Sequence, residues 1–225
     1  AKQTSMKENG KPFLSSGVFN MIKPAGPSSQ DLVTDVKRML GAAKVGHTGT
    51  LDPGAAGVLP ICIGKATRLF DYLVDKEKRY RFEILFGVST DTLDSYGRVL
   101  ERKENVNVKE AALLAVLPDF TGELIQQPPM YSALKIDGKK MYQRARQGTE
   151  EQEAQEIRRK KARTAQIESL TLVVQTGSNR FMLDLVCGKG TYVRVLCEDI
   201  ARRLGTVATM SFLLRTGSGP FLIDK

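Results

Sequence analysis

The residue in this chain best placed to do chemistry is an aspartate set among small residues. Gly46-His47-Thr48-Gly49-Thr50-Leu51-Asp52-Pro53 runs on into Gly54-Ala55-Ala56-Gly57. Glycine and alanine let a ligand or a second stretch of backbone come close, and Pro53 restricts Asp52 to an extended conformation, so its carboxylate can be held at a loop tip. A lone Asp-Pro reads more simply as a tight turn bonded to backbone amides, so the surrounding sequence has to decide. Two other clusters stand out. Lys78-Arg79-Tyr80-Arg81 sets a tyrosine among cations, and Gly190-Thr191-Tyr192-Val193-Arg194 puts a tyrosine and an arginine at the start of a helical pattern.

The elements that must position these residues are legible from periodicity. Val18 to Ile22 reads as a buried strand ended by Lys23-Pro24. A helix follows, capped by Ser28 or Ser29, with Leu32, Val33, Val36, Met39 and Leu40 on its apolar face and Gly41 at its left-handed end. Residues 44 to 57 read as a loop, Val58 to Ile63 as an apolar strand, and Lys65 to Val74 as a helix. Arg79 to Phe86 alternates, turning Tyr80, Phe82, Ile84 and Phe86 to one side. Arg98 to Arg102 reads as a strand, Val108 to Leu117 as a helix, and Gln126 to Met130 as a proline loop. Tyr131 to Gly148 reads as a short strand, a turn at Asp137-Gly138 and a basic amphipathic helix. Thr149 to Thr164, an acidic block then a basic one, reads as solvated or disordered. Strands at Ile167 to Val174, Phe181 to Val186 and Thr209 to Leu214 enclose a helix from Tyr192 to Leu204. This irregular mixture is α+β with a largely antiparallel or mixed sheet. It is not a dinucleotide or P-loop fold, since no GxGxxG or Walker A sequence occurs, and no GxSxG elbow is present.

Composition narrows the partners. Of 225 residues, 34 are Lys or Arg against 25 acidic, a formal charge of +9 that suits an extended polyanion. The cations are spread over several segments, which fits a broad binding face better than a tail. Cys62, Cys187 and Cys197 form no CxxC pair and lie in apolar or helical stretches, so they read as buried thiols in a reducing compartment. With one histidine and no Cys/His cluster, neither a metal nor a cofactor is expected. No apolar run is long enough to cross a bilayer, and the polar residues 1 to 16, expected to be disordered, lack the core of a signal peptide. A cytoplasmic monomer is the default.

Here the residues resemble a known family. Gly46 to Pro53, with Gly57-Val58-Leu59-Pro60-Ile61-Cys62-Ile63-Gly64-Lys65-Ala66-Thr67, is similar to the signature of the TruB-type tRNA pseudouridine-55 synthases. Gly17-Val18 with Lys23-Pro24-Ala25-Gly26-Pro27-Ser28-Ser29 resembles that family's opening element. Lys78 to Arg81 resembles its second motif, Gly190 to Arg194 its third, and Leu213 to Arg215 the segment that closes its pocket. The resemblance covers about residues 17 to 217 in the family's order. It implies a pseudouridine synthase fold over residues 17–225, with an RNA-gripping thumb insertion at about 128–148. Lys135, Lys139, Lys140, Arg144 and Arg146 would there meet the RNA backbone.

The implied activity is isomerisation of uridine to its C-glycoside at uridine 55 in the T loop of tRNA. The N1–C1′ bond breaks, the retained base turns, and C5 bonds to C1′, so no group enters or leaves and no cofactor is needed. Asp52 would be the nucleophile, attacking C1′ or the pyrimidine ring or assisting elimination through a glycal. Arg194 would keep it ionised and in place. Tyr80 would stack on the target base and Leu213 would pack on its other side. His47 would displace or hold the flipped nucleotide, with Gly46 beside it, while Lys23 and Pro24 shape the loop; Tyr192 would hydrogen-bond near Asp52 or pack. Extruding the nucleotide costs a few kcal/mol, roughly, which basic surface offsets.

Family members usually carry a C-terminal PUA-type domain, which is not expected within this chain. Three rival functions stay open. A guide-RNA-dependent, dyskerin-like synthase would require a guide, an RNA-binding or folding module would not depend on turnover, and an N-glycosidase would release free uracil.

Overall fold

The computed structural model describes residues 7–8, 11–12, 16–132, 135–136, 139–141 and 151–224. In chain order the strands are β1 (Lys7–Glu8), β2 (Lys11–Pro12), β3 (Gly17–Lys23), β4 (Val45–His47), β5 (Ala56–Ile63), β6 (Lys78–Phe86), β7 (Val88–Thr90) and β8 (Val99–Arg102). They continue with β9 (Gly122–Gln126), β10 (Lys135–Ile136), β11 (Lys139–Lys140), β12 (Arg163–Gly177), β13 (Arg180–Cys187), β14 (Ala208–Ser218) and β15 (Phe221–Leu222). The α-helices are α1 (Ser29–Leu40), α2 (Phe70–Val74), α3 (Glu110–Val116), α4 (Glu151–Lys160) and α5 (Val193–Arg203). This is an α+β chain whose strands pair mostly antiparallel, with β5 and β14 parallel. It divides into two compact units, one of residues Ala1–Tyr80 with Leu214–Lys225, the other of Arg81–Leu213.

The first unit is organised by β5. Its residues from Gly57 to Ile63 are all buried, which is why they read as an unbroken apolar run rather than an alternation. Burying each of the larger aliphatic side chains in that run is worth about 1.5–3 kcal/mol. β3 lies along one edge of β5, in register from Gly17 opposite Ile63 to Lys23 opposite Gly57. The other edge takes β4 opposite Ile61 to Ile63 and then the second half of β14, with Leu214 opposite Ala56 and Arg215 opposite Gly57. At that last pair only glycine fits. Gly57 has φ +117°, and a Cβ there would lie 2.2 Å from the Arg215 carbonyl oxygen.

Helix α1 follows its sequence signals. Ser28 and Asp31 form a reciprocal capping box, and Gly41 closes the helix in the left-handed conformation at φ 60°. Val33 and Val36 are buried as expected, whereas Met39 is 79% exposed and lies outside the apolar face. Two further expectations for this unit are corrected. The span 44 to 57 contains β4, whose pairing is supplied by β5 rather than by any pattern of its own. The helix expected from Lys65 to Val74 is a 3₁₀ helix over Gly64–Leu69 before it becomes α2. The Thr67 hydroxyl donates to the Gly64 carbonyl three residues back, which suits the tighter turn. Within 1–16, β1 and β2 pair antiparallel, and most other residues there lie outside the described ones.

The second unit has the strand order β14-β6-β13-β12-β9, with β7 and β8 as a separate antiparallel pair. Along β6, Phe82, Ile84 and Phe86 are buried, as the alternation predicts, and Phe86 meets Phe181 edge to face at 5.9 Å. The opposite side of β6 is polar and paired. Arg81 makes a two-pronged bond to Asp184, and Glu83 accepts from Ser211, Thr176 and Arg180. Helix α5 buries Val193, Leu196 and Ile200, close to its expected bounds. The proline loop after Gln126 is preceded by β9, which the sequence reading missed.

The largest correction is α4, in the stretch expected to be solvated or disordered. Its composition hides a helix because the apolar stripe is absent, yet Glu, Gln, Ala, Arg and Lys are good helix formers. Glu156 pairs with Lys160 at 2.7 Å, four residues on, and the basic residues fall in the last turn, where the helix dipole favours them. Arg158 ties the helix to its unit by donating to the Pro128 carbonyl and lying 3.6 Å from Glu198.

Because the β5–β14 contact admits no side chain, Gly57→Ala is expected to lower unfolding free energy by about 3 kcal/mol, measured from the urea midpoint at unchanged m.

Candidate active site

In the first unit the loop that carries Asp52 is held from three sides by buried polar side chains. Lys23, at the end of β3, is 0% exposed. Its ammonium donates to the carbonyls of Pro24 at 2.8 Å, Pro27 at 2.7 Å and Pro53 at 3.1 Å, which uses all three of its N–H groups. Burial pushes the Lys23 pKa down, and the carboxylates of Asp52 and Asp31 push it back up. Lys23 therefore brings a positive charge within electrostatic reach of Asp52. The Gly26 N–H also donates to Pro53 O, so the two proline-glycine loops are stitched directly.

Ser29, in the first turn of α1, holds the residue before Asp52. Its hydroxyl donates to Leu51 O and accepts from Leu51 N, both at 2.9 Å, in a buried setting. The third anchor is Arg215 on β14, 1% exposed. It donates through Nε to Val58 O at 2.7 Å and through Nη2 to Gly49 O at 3.1 Å, fastening the loop to β5. Asp52 itself is half-buried and closes a turn in which Ala55 N–H donates to its carbonyl. His47 ends β4, with Gly46 before it. Burial chiefly, then the Arg215 guanidinium, lowers the His47 pKa below 6.5, against a bond to the Gly49 backbone. The imidazole is thus neutral at pH 7. Tyr80, half-buried on β6, also belongs to this unit.

Tyr192, Arg194 and Leu213 belong to the second unit. Arg194 is buried at the start of α5 and donates to Thr92 O at 2.8 Å and Tyr131 O at 2.9 Å, with Asp94 at 3.6 Å. Tyr192 is set by Gln126, a buried amide that accepts from its N–H at 2.9 Å and donates to its carbonyl at 3.3 Å. Leu213 is buried. Lys135, Lys139 and Lys140 lie on the two-residue strands β10 and β11, with Lys135 opposite Lys140. Arg144 and Arg146 lie outside the described residues.

A profile of the TruB family pseudouridylate synthase N-terminal domain matches residues 37–193, which include Asp52 and Tyr80. The chain belongs to the TruB family. It is 48% identical over 212 residues to tRNA pseudouridine synthase B of Pelotomaculum thermopropionicum, covering 92% of this chain and 65% of that protein. To the protein of the same name from Alkaliphilus oremlandii it is 46% identical over 209 residues, covering 93% and 67%. The chain thus spans about two thirds of the length of these curated relatives. Among solved structures it is similar to a chain of a Cbf5-Nop10-Gar1 complex, with a TM-score of 0.69 and 30% identity over 92% of this chain and 50% of that one. A chain of an H/ACA RNP bound to a substrate RNA containing 2′-deoxyuridine gives 0.66 and 27%, over 92% and 49%. The expected α+β pseudouridine synthase fold agrees with these likenesses.

The positioning bonds of two residues were not legible in the sequence. Ser29 was legible as a capping residue and as part of the opening motif, and Gln126 as the start of a proline loop, but neither bond has a local signature. No described helix is long and apolar enough to cross a membrane.

Ser29→Ala leaves the Leu51 N–H and carbonyl without their buried partner, so a loss of about 1–3 kcal/mol is expected by chemical denaturation. His47 has a folded pKa below its unfolded one, so its contribution to stability is present above about pH 6.5 and lost as pH falls below that. The melting temperature of His47→Gln should therefore fall less than that of the parent between about pH 7.5 and pH 5.5.

Proposed function

We propose that this TruB-family chain isomerises uridine to pseudouridine in RNA, at uridine 55 in the T loop of tRNA, with Asp52 as the nucleophile. The observation that carries the reading is the fixed Asp52 loop, with Lys23, Ser29 and Arg215 spending their polar groups on its backbone. Such anchoring is what a nucleophile needs and an ordinary turn does not, since reaction with a flipped nucleotide, whether at C1′ or on the ring, tolerates little positional error.

In this reading the target nucleotide is flipped out of the folded loop. Tyr80 stacks on the base, and Leu213 supplies an apolar contact. Arg194 supplies charge that keeps the nucleophile ionised. Neutral His47 serves the displaced nucleotide through hydrogen bonding rather than as an acid or base, with Gly46 and Tyr192 beside the substrate. Lys135, Lys139, Lys140, Arg144 and Arg146 of the thumb take RNA phosphates. The protein acts without metal or cofactor, as a monomer in the cytoplasm.

A guide-dependent reading draws on the likeness to Cbf5 chains. Identity of 48% to a tRNA pseudouridine synthase B against 30% to the Cbf5 chain favours direct recognition of tRNA.

The test is pseudouridine formation in an unmodified T-arm stem-loop, with the modified position mapped. The purified chain is expected to convert the T-loop uridine without added guide RNA, and Asp52→Asn to reduce the rate below detection. Free uracil among the products, or a requirement for guide, would reject the reading.

A further inference from the structure

We infer that Arg163 is a phosphate-binding residue for the RNA, held ready by Tyr192; this rests on the reading of the chain as an RNA-modifying enzyme. Arg163 opens β12, opposite Gln126 of β9, and its guanidinium lies over the Tyr192 ring at 4.6 Å from the centroid. Gln126 in turn grips both backbone groups of Tyr192. The same pair that fixes the third motif also fixes the plane of a guanidinium.

Several arginines elsewhere in this unit have carboxylate partners, among them Arg81 with Asp184, Arg180 with Glu83 and Arg203 with Asp119, while Arg98, Arg102 and Arg159 are exposed to solvent. Arg163 differs. It makes no ion pair among the described residues, and its Nε is shielded from solvent and bonds to nothing there. An incoming acceptor therefore meets no competitor for the charge. Stacking on an aromatic face removes rotamer freedom in advance and leaves the edge of the guanidinium for a two-pronged acceptor, which the two non-bridging oxygens of a phosphodiester provide. Gly190 permits the arrangement, because a Cβ at that position would sit 3.1 Å from the Arg163 Cζ. Lys161 and Lys189, on either side in sequence of Arg163 and Gly190, are exposed and add to the local positive potential.

The ligand is thus an RNA backbone phosphate, and the site adds a contact beside the third motif. Removing the charge of a residue that only propped Tyr192 would leave the salt dependence of RNA binding unchanged. That difference is measurable.

The experiment measures binding of the unmodified T-arm stem-loop by the parent, Arg163→Gln and Arg163→Lys as a function of salt, with pseudouridine formation followed in the same samples. Loss of one phosphate contact should make the slope of log K against log salt shallower by about 0.7–0.9 in Arg163→Gln. Arg163→Lys should retain the slope and bind more weakly, having lost the fork and the stack. An unchanged slope in Arg163→Gln, whether or not turnover falls, overturns the assignment, as does a parent that binds no RNA. Should the parent form no pseudouridine yet the slope change as stated, the proposed activity fails while the phosphate contact stands. Thermal melting of each variant separates loss of fold from loss of contact.

Discussion

Everything around Asp52 depends on how a buried ammonium is satisfied. Lys23 has no acceptor of its own and needs three, and all three come from proline carbonyls: Pro24, Pro27 and Pro53. Proline contributes an acceptor to a loop without a donor, so a proline-rich loop carries surplus carbonyls that neighbouring amides cannot absorb. The cation and the loops are complementary for this reason. An apolar residue at position 23 would strand the carbonyls, and ordinary residues at the prolines would bring amides competing for them. Arg215 repeats the logic on the other side, taking up the carbonyls of Gly49 and Val58.

Lys23, Ser29 and Arg215 spend their polar groups on main-chain atoms and fix the path of the backbone on either side of Asp52. In the second unit Gln126 does the same for Tyr192, so in both units a buried side chain pins the backbone of a motif residue.

How much of this was legible in the sequence follows from the range of each signal. Helix α1 announced itself because a capping box, a 3.6-residue stripe and a terminal glycine are local and agree. β5 and β6 did so because burial on both faces and burial on one face leave different patterns. Asp52, Tyr80 and Arg194 stood out through motifs. The bond from Ser29 to Leu51 did not, because the two lie 22 positions apart and nothing near either residue encodes it. α4 was misread for the opposite reason: its stabilisation is local charge pairing, and the rule that a helix shows an apolar stripe outweighed it. β4 was invisible because a three-residue strand takes its conformation from the partner it lies against.

The bond from Arg215 to Val58 joins residues 157 positions apart. A ribosome adding about 5–20 residues per second needs roughly 8–30 s to travel that distance. For that time the nascent polypeptide already contains Asp52, Lys23 and Ser29, but β5 has an open edge where β14 will lie. Completion of the Asp52 loop is thereby deferred until the intervening residues have been made, and high contact order becomes a timer on when that loop can first be fully anchored.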